Sequence, residues 1–130
     1  MITIGRAAKF TNIPAKTIRY YEEINLISPA QRSDNGYRYF NQHSIDELNL
    51  VKGARDAGFT IEQCKELMAL FRDDNRQSSE VKALTDEKIS QIKQKISALN
   101  NIVQSLEALS DECRGDDSSD CAILNGLIKK

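Results

Sequence analysis

The chain has 130 residues, which suits one compact unit or a small domain with an appendage. Eighteen basic against nineteen acidic residues leave a formal charge of −1, and a 40% apolar, 28% charged composition excludes wholesale disorder. Six Gly, two Pro and three Cys exclude a collagen-like chain and a secreted disulfide scaffold; with no apolar run near ~20 residues and no signal-peptide pattern in MITIGRAAKF, neither membrane insertion nor export is expected.

In chain order, Ile4 to Phe10 reads as a short helix with Thr3 as its N-cap, broken at Thr11-Asn12. Pro14 stands where a first helical residue belongs, because its missing N–H would be unsatisfied there anyway. It opens a second helix reaching Glu23, and two short helices joined so closely resemble a helix-turn-helix. In the stretch Gln31 to Phe40, Asn35-Gly36 is a hairpin signal, since both residues tolerate positive φ, and the flanking Tyr and Phe favour strands. Ser44-Ile-Asp-Glu47 reads as a capping box opening a third helix that Gly58 ends, and Thr60-Ile-Glu-Gln63 as another opening a fourth helix to about Phe71.

Past a polar loop at Asp73 the text changes in kind. Ile89, Ile92, Ile96, Leu99, Val103 and Leu106 are spaced 3, 4, 3, 4, 3, the seam of a coiled coil, in a run from Glu80 to about Asp111 without Pro or Gly. A rod of that length cannot hide its stripe on some seventy preceding residues, so a second copy of itself is the expected cover. Gly115 then ends the rod, an acidic, Ser-rich loop follows, and Cys121 begins a short apolar helix expected to dock back over the loop.

Charge is unevenly spread. Residues 1–40 hold six basic and three acidic side chains, whereas residues 73–130 hold eight basic and eleven acidic ones. The front end is therefore suited to a polyanion. A recognition helix here would carry Lys16, Thr17, Arg19 and Tyr20, residue types that read base edges or grip phosphates. The hairpin would add Arg32, Asn35, Tyr37 and Arg38, and Arg55 would reach a phosphate from the third helix. Ile18 and Tyr21 read as core, and Cys64, among Ile61, Leu67 and Met68, as a buried small hydrophobe. His43, the one histidine, is not expected to be a ligand.

Ile18-Arg-Tyr-Tyr-Glu-Glu23, Arg32-Ser-Asp-Asn-Gly-Tyr-Arg38 and Arg55-Asp-Ala-Gly-Phe59 together resemble the MerR family of bacterial transcription regulators. The pair Cys113 and Cys121, with seven residues between them including Gly115-Asp116-Asp117-Ser118, resembles its Cu(I)-responsive, copper-efflux branch. Pro14 departs from the small polar residue common at its position in that family. The resemblance implies a mainly α protein. It would comprise a winged helix-turn-helix domain over 1–72 (helix-turn-helix about 4–23, wing about 31–40), a dimerisation helix in an antiparallel coiled coil over 78–111, and a metal-binding loop with a short helix over 112–130. It also implies DNA contacts at Arg19, Tyr20, Arg32, Tyr37, Arg38 and Arg55.

Two soft thiolates with no neighbouring histidine select Cu(I), with Ag(I) and Au(I) as mimics, whereas Zn(II) normally takes four ligands. In the divalent branch the resemblance places a further Cys near the start of the dimerisation helix, where this chain has Ser78 and Ser79. Expected partners are a palindromic promoter operator, a second copy of the chain, and RNA polymerase at the same promoter, in the cytoplasm of a bacterium. No catalytic residue is expected; the fourth helix is the expected lever between coil and wing. Two other readings stay open: a sensor of another thiophilic metal or of oxidants, and a copper-buffering or redox dithiol protein without a DNA role.

Overall fold

A computed structural model describes residues 2–117 and 119–129; Ser118, part of the cysteine-loop motif, lies outside them. The chain divides after Leu84 into two compact units.

The first unit holds α1 (Ile4–Thr11), α2 (Ala15–Glu23), β1 (Gln31–Arg32), β2 (Arg38–Tyr39), α3 (Gln42–Asp56), α4 (Ile61–Arg72) and the first residues of α5 (Ser78–Glu112). Thr3 caps α1 by accepting from the Arg6 N–H, and Asn12 closes the helix in the left-handed conformation at φ 57°. Asn tolerates that conformation better than most residues, so the break between α1 and α2 is written in one side chain. Pro14 sits one position earlier than expected. At φ −58° and ψ 143° it is the N-cap of α2, and the helix starts at Ala15. A proline has no side-chain acceptor for the first-turn amides, and its extended ψ keeps it outside the helix.

The capping box expected at Ser44 is not formed. Asn41 caps α3 instead, its Oδ1 accepting from both the N–H and the hydroxyl of Ser44. Glu47 is thereby released from the helix start and is fully buried. The box at Thr60 does form, with Thr60 and Gln63 exchanging side-chain-to-backbone bonds. Between these helices the chain turns through Gly58 at φ 93°, where Phe59 N–H reaches back to Ala54 C=O and Gly58 N–H to Arg55 C=O. This is the reciprocal pattern of a glycine-terminated helix.

β1 and β2 pair antiparallel, Gln31 opposite Tyr39 and Arg32 opposite Arg38. Their loop is longer than a two-residue turn. Ser33 C=O accepts from Gly36 N–H, and Ser33 N–H donates to Tyr37 C=O. Only Gly36 (φ 86°) takes positive φ, so Asn35 does not do so as the dipeptide suggested. The pattern is that of a three-residue hairpin loop with Gly at its left-handed position. At the hairpin's base Ile2 and Phe40 exchange backbone hydrogen bonds.

The core joins Ala7 of α1, Ile18 and Tyr21 of α2, Leu26, Ile27 and Phe40, Leu48 and Val51 of α3, and Cys64 and Met68 of α4. Ile18, Tyr21 and Cys64 thus take the buried places expected of them.

The second unit holds the remainder of α5 and α6 (Ala122–Ile128). All six seam residues from Ile89 to Leu106, with Ile102 beside them, are exposed in the single chain. α6 seats on the end of α5 at one close point, where a Cβ on Gly126 would collide with the side chain of Leu109. Among the described residues no helix is long and apolar enough to cross a membrane.

Among the described residues, Glu47 is the one fully buried acidic side chain of the first unit. Burial works against its charge, but hydrogen bonds from Arg72 and Ser28 and the Arg72 charge prevail, holding its carboxyl below the ordinary value of 4.5. A carboxylate with a depressed native value stabilises the fold above its unfolded value and loses that contribution as pH falls through the native one. Glu47→Gln should therefore destabilise the protein at pH 7, by about 1–3 kcal/mol. Its deficit relative to the unmodified chain should shrink steadily below pH 4.5, as read by urea unfolding across pH.

Candidate nucleic-acid interface and thiol site

The solvent face of α2 is set by what the helix buries. Ile18 and Tyr21 point inward, so Lys16, Arg19 and Tyr20, spaced three and four apart, fall together on the outer face. Tyr20 is half exposed and packs obliquely against Tyr21, with ring centroids 6.2 Å apart. Thr17 lies at the edge of this face, partly buried. With Arg55 and Lys52 of α3 it lines a small cleft beside the α1–α2 turn. Arg55 donates to Phe59 C=O at 2.9 Å, which anchors its guanidinium near the end of α3.

The hairpin concentrates positive charge. Arg32 and Arg38 are direct cross-strand partners. Like charges so placed repel, an arrangement that favours an anion nearby. Two contacts hold the pair. Arg32 donates to Gly36 C=O at 3.1 Å, and Arg38 pairs with Glu22 of α2 at 3.3 Å. At the loop, Tyr37 is 73% exposed, and Asn35 accepts from the Ser33 hydroxyl. The structure thus gathers Lys16, Arg19 and Tyr20 on one helix face and Arg32, Asn35, Tyr37 and Arg38 on one hairpin.

Sequence reasoning missed the groups that support this surface. Glu22 also accepts from the Ala30 N–H at 3.0 Å, so one carboxylate holds the base of β1 and the guanidinium on β2. Glu47 accepts from the Ser28 N–H (2.9 Å), the Ser28 hydroxyl (3.2 Å) and Arg72 Nε (2.9 Å), with His43 Nε2 at 3.3 Å. His43 also stacks on Phe71, with ring centroids 6.1 Å apart. An Asn three residues before Ser44 was the available signal that Glu47 was free for other duty; nothing local announced Glu22.

At the far end of the chain, Cys113 directly follows α5 and Cys121 is the N-cap of α6. Their sulfurs lie 3.7 Å apart, too far for a disulfide, and both thiols are free and partly exposed. The Cys121 thiol is pulled below its ordinary value. The Leu124 backbone N–H contributes most to this, helped by the Cys113 thiol and the Ile123 N–H, against partial burial and the Asp120 charge. Amides at a helix start favour thiolate in this way. Asp116 sits with Arg114 at 3.5 Å. Among the described residues no group of three or more His, Cys, Asp or Glu side chains is arranged to hold a metal. Two thiols without a third donor suit a soft, low-coordinate ion and leave a tetrahedral one unsatisfied.

Comparison with known proteins joins these two sites. The profile of the MerR HTH family regulatory protein matches residues 2–70, and that of the MerR DNA-binding region matches residues 45–109. The chain is 45% identical over 126 residues to the HTH-type transcriptional regulator CueR of Yersinia pestis, covering 97% of this chain and 91% of that protein. It is 42% identical over 128 residues to the regulator HmrR of Sinorhizobium medicae, covering 98% and 87%. The lead(II) complex of PbrR691 from Ralstonia metallidurans superposes with a TM-score of 0.86 at 27% identity, covering 98% of this chain and 99% of that one. A helix-turn-helix with a basic hairpin, a long helix with an apolar stripe and a terminal dithiol therefore belong together: the chain is a member of the MerR family of DNA-binding transcription regulators.

Proposed function

We propose that this protein is a bacterial, cytoplasmic Cu(I)-responsive activator. It binds a palindromic promoter operator as a homodimer and switches on copper-export genes. The observation that carries the metal assignment is the thiol pair: two sulfurs 3.7 Å apart and, among the described residues, no group of three or more His, Cys, Asp or Glu side chains placed to hold an ion. Cys113 and Cys121 would hold one Cu(I), or its mimics Ag(I) and Au(I). When bound, the ion supplies a soft bridge between two thiolates. The chain's own residues do the rest. Cys121 is biased toward thiolate by the first-turn amides of α6, so less free energy is spent on releasing its proton. Gly126 lets α6 rest against Leu109 of α5, so a closed loop and a seated helix favour one another.

The dimer follows from the exposed seam. Six large apolar residues on one stripe are each worth about 1.5–3 kcal/mol when fully buried. An antiparallel second copy is the cover that α5 itself supplies. Operator contact rests on Lys16, Thr17, Arg19 and Tyr20 of α2, on Arg32, Asn35, Tyr37 and Arg38 of the hairpin, and on Arg55. Arginine and lysine at exposed, preset positions grip phosphates and so fix the register of the helix on the duplex. Activation is then a two-state equilibrium. Metal-free and metal-bound dimers both occupy the operator, α4 passes the change from coil to wing, and only the bound form bends and untwists the promoter for RNA polymerase.

The likeness to the lead(II)-bound PbrR691 favours a second reading, a sensor of divalent thiophilic metals. Transcription from a copper-export promoter under anaerobic titration separates the two. Cu(I) should activate at one ion per chain, Zn(II) and Pb(II) should not, and Cys113→Ser should abolish both binding and activation. Activation by Zn(II) equal to that by Cu(I) would overturn the assignment.

Arg19→Ala should weaken operator binding by about 1–3 kcal/mol with the dimer intact, as read by gel shift and sedimentation. A dithiol protein with no DNA role would shift no promoter fragment at all.

A further inference from the structure

The fold contains a continuous polar path from the last residue of α4 to the second strand of the wing. Arg72 ends α4. Its Nε donates to the buried Glu47 carboxylate at 2.9 Å, while its Nη2 lies 3.4 Å from both Leu26 C=O and the Ser28 hydroxyl. Glu47 in turn holds the Ser28 N–H at 2.9 Å. Two residues later the Ala30 N–H donates to Glu22 at 3.0 Å, and the other oxygen of Glu22 pairs with Arg38 at 3.3 Å. Segment 28–30 is thus pinned by one carboxylate on each side: Glu47, which α4 grips, and Glu22, which the wing arginine grips. Pro29 lies between the two pinned amides and fixes its own φ, so the segment has little freedom to absorb a displacement.

We propose that Glu47 and Glu22 are positioning residues for operator binding: through segment 28–30 they set the placement of Arg38, and with it the wing, according to where Arg72 holds the end of α4. Neither carboxylate needs to touch DNA. Glu47 is fully buried, and Glu22 acts by orienting the arginine beside it. Adjacency in space alone does not make a path; coupling between its two ends does. Among the described residues Arg72 and Glu22 share no hydrogen-bond partner, so independent effects of changing them should simply multiply. This inference rests on the DNA-contact reading of the wing and not on the identity of the metal.

The test is the salt dependence of operator binding by the metal-free dimer, for Arg72→Met, Glu22→Gln, the double variant and Arg38→Ala as reference. One lost phosphate contact in each wing should lower the slope of log K against log[salt] by about two per dimer. Arg38→Ala should show that loss directly. Arg72→Met and Glu22→Gln should each reproduce most of it, with roughly ten-fold weaker binding at low salt. The double variant should be no worse than the poorer single.

An Arg72→Met slope equal to the unmodified chain's while Arg38→Ala lowers it would overturn the proposal, and so would losses that multiply in the double. If Arg38→Ala leaves the slope unchanged, the wing reading fails and this inference falls with it. Should Arg72→Met not fold, Glu47→Gln takes its place under the same criteria, because an amide has one acceptor oxygen and cannot hold both Ser28 N–H and Arg72 Nε. Because no metal is present, failure of the Cu(I) assignment would leave these results standing.

Discussion

A buried carboxylate with four contacts holds the DNA-binding unit in its working shape. Glu47 of α3 is fully buried, and a charge there is tolerated because Arg72, Ser28 and His43 surround it. The arrangement ties together three parts that hydrophobic packing alone would hold less specifically: the loop after α2, the first turns of α3 and the last turn of α4. An apolar residue in its place would pack, but it would not tell the loop where to stand. The wing begins three residues beyond Ser28, so its placement inherits that geometry.

The electrostatics of the outer surface have a similar logic. Arg32 and Arg38 oppose each other across the hairpin, and the protein satisfies them from opposite sides with Gly36 C=O and the Glu22 carboxylate. One partner is a neutral carbonyl, the other a carboxylate shared with Ala30 N–H. The surface is thus charged for a duplex yet ordered before meeting one, which lowers the entropy cost of binding.

Most of this architecture was legible in the sequence because its signals are local. Thr60 with Gln63, Thr3 before an apolar stretch, Asn12 at a helix break and the heptad spacing from Ile89 to Leu106 each depend on residues within a few positions. The misreadings came from local signals with two solutions. Ser44-x-x-Glu47 has the spacing of a capping box, but Asn41 competes for the same amide and Glu47 is drawn inward by Arg72, twenty-five residues away. Pro14 fits a first helical position and a cap equally well by its φ, and ψ decides. The thiol pair was found from spacing and chemistry, whereas its separation depends on how α5 and α6 end and start. Glu22 could not have been found: its partners at positions 30 and 38 meet it only once the hairpin has folded back.

The seat of α6 has a mechanical corollary. Seven residues are too few for a helix to persist alone, and Gly126 weakens it further by about 0.5–1 kcal/mol relative to Ala. The same glycine is where Leu109 comes close to the α6 backbone. Any side chain at position 126 would meet Leu109, so this approach of α6 to α5 depends on the missing Cβ. A short helix that is weak by itself is thus held by the very residue that weakens it.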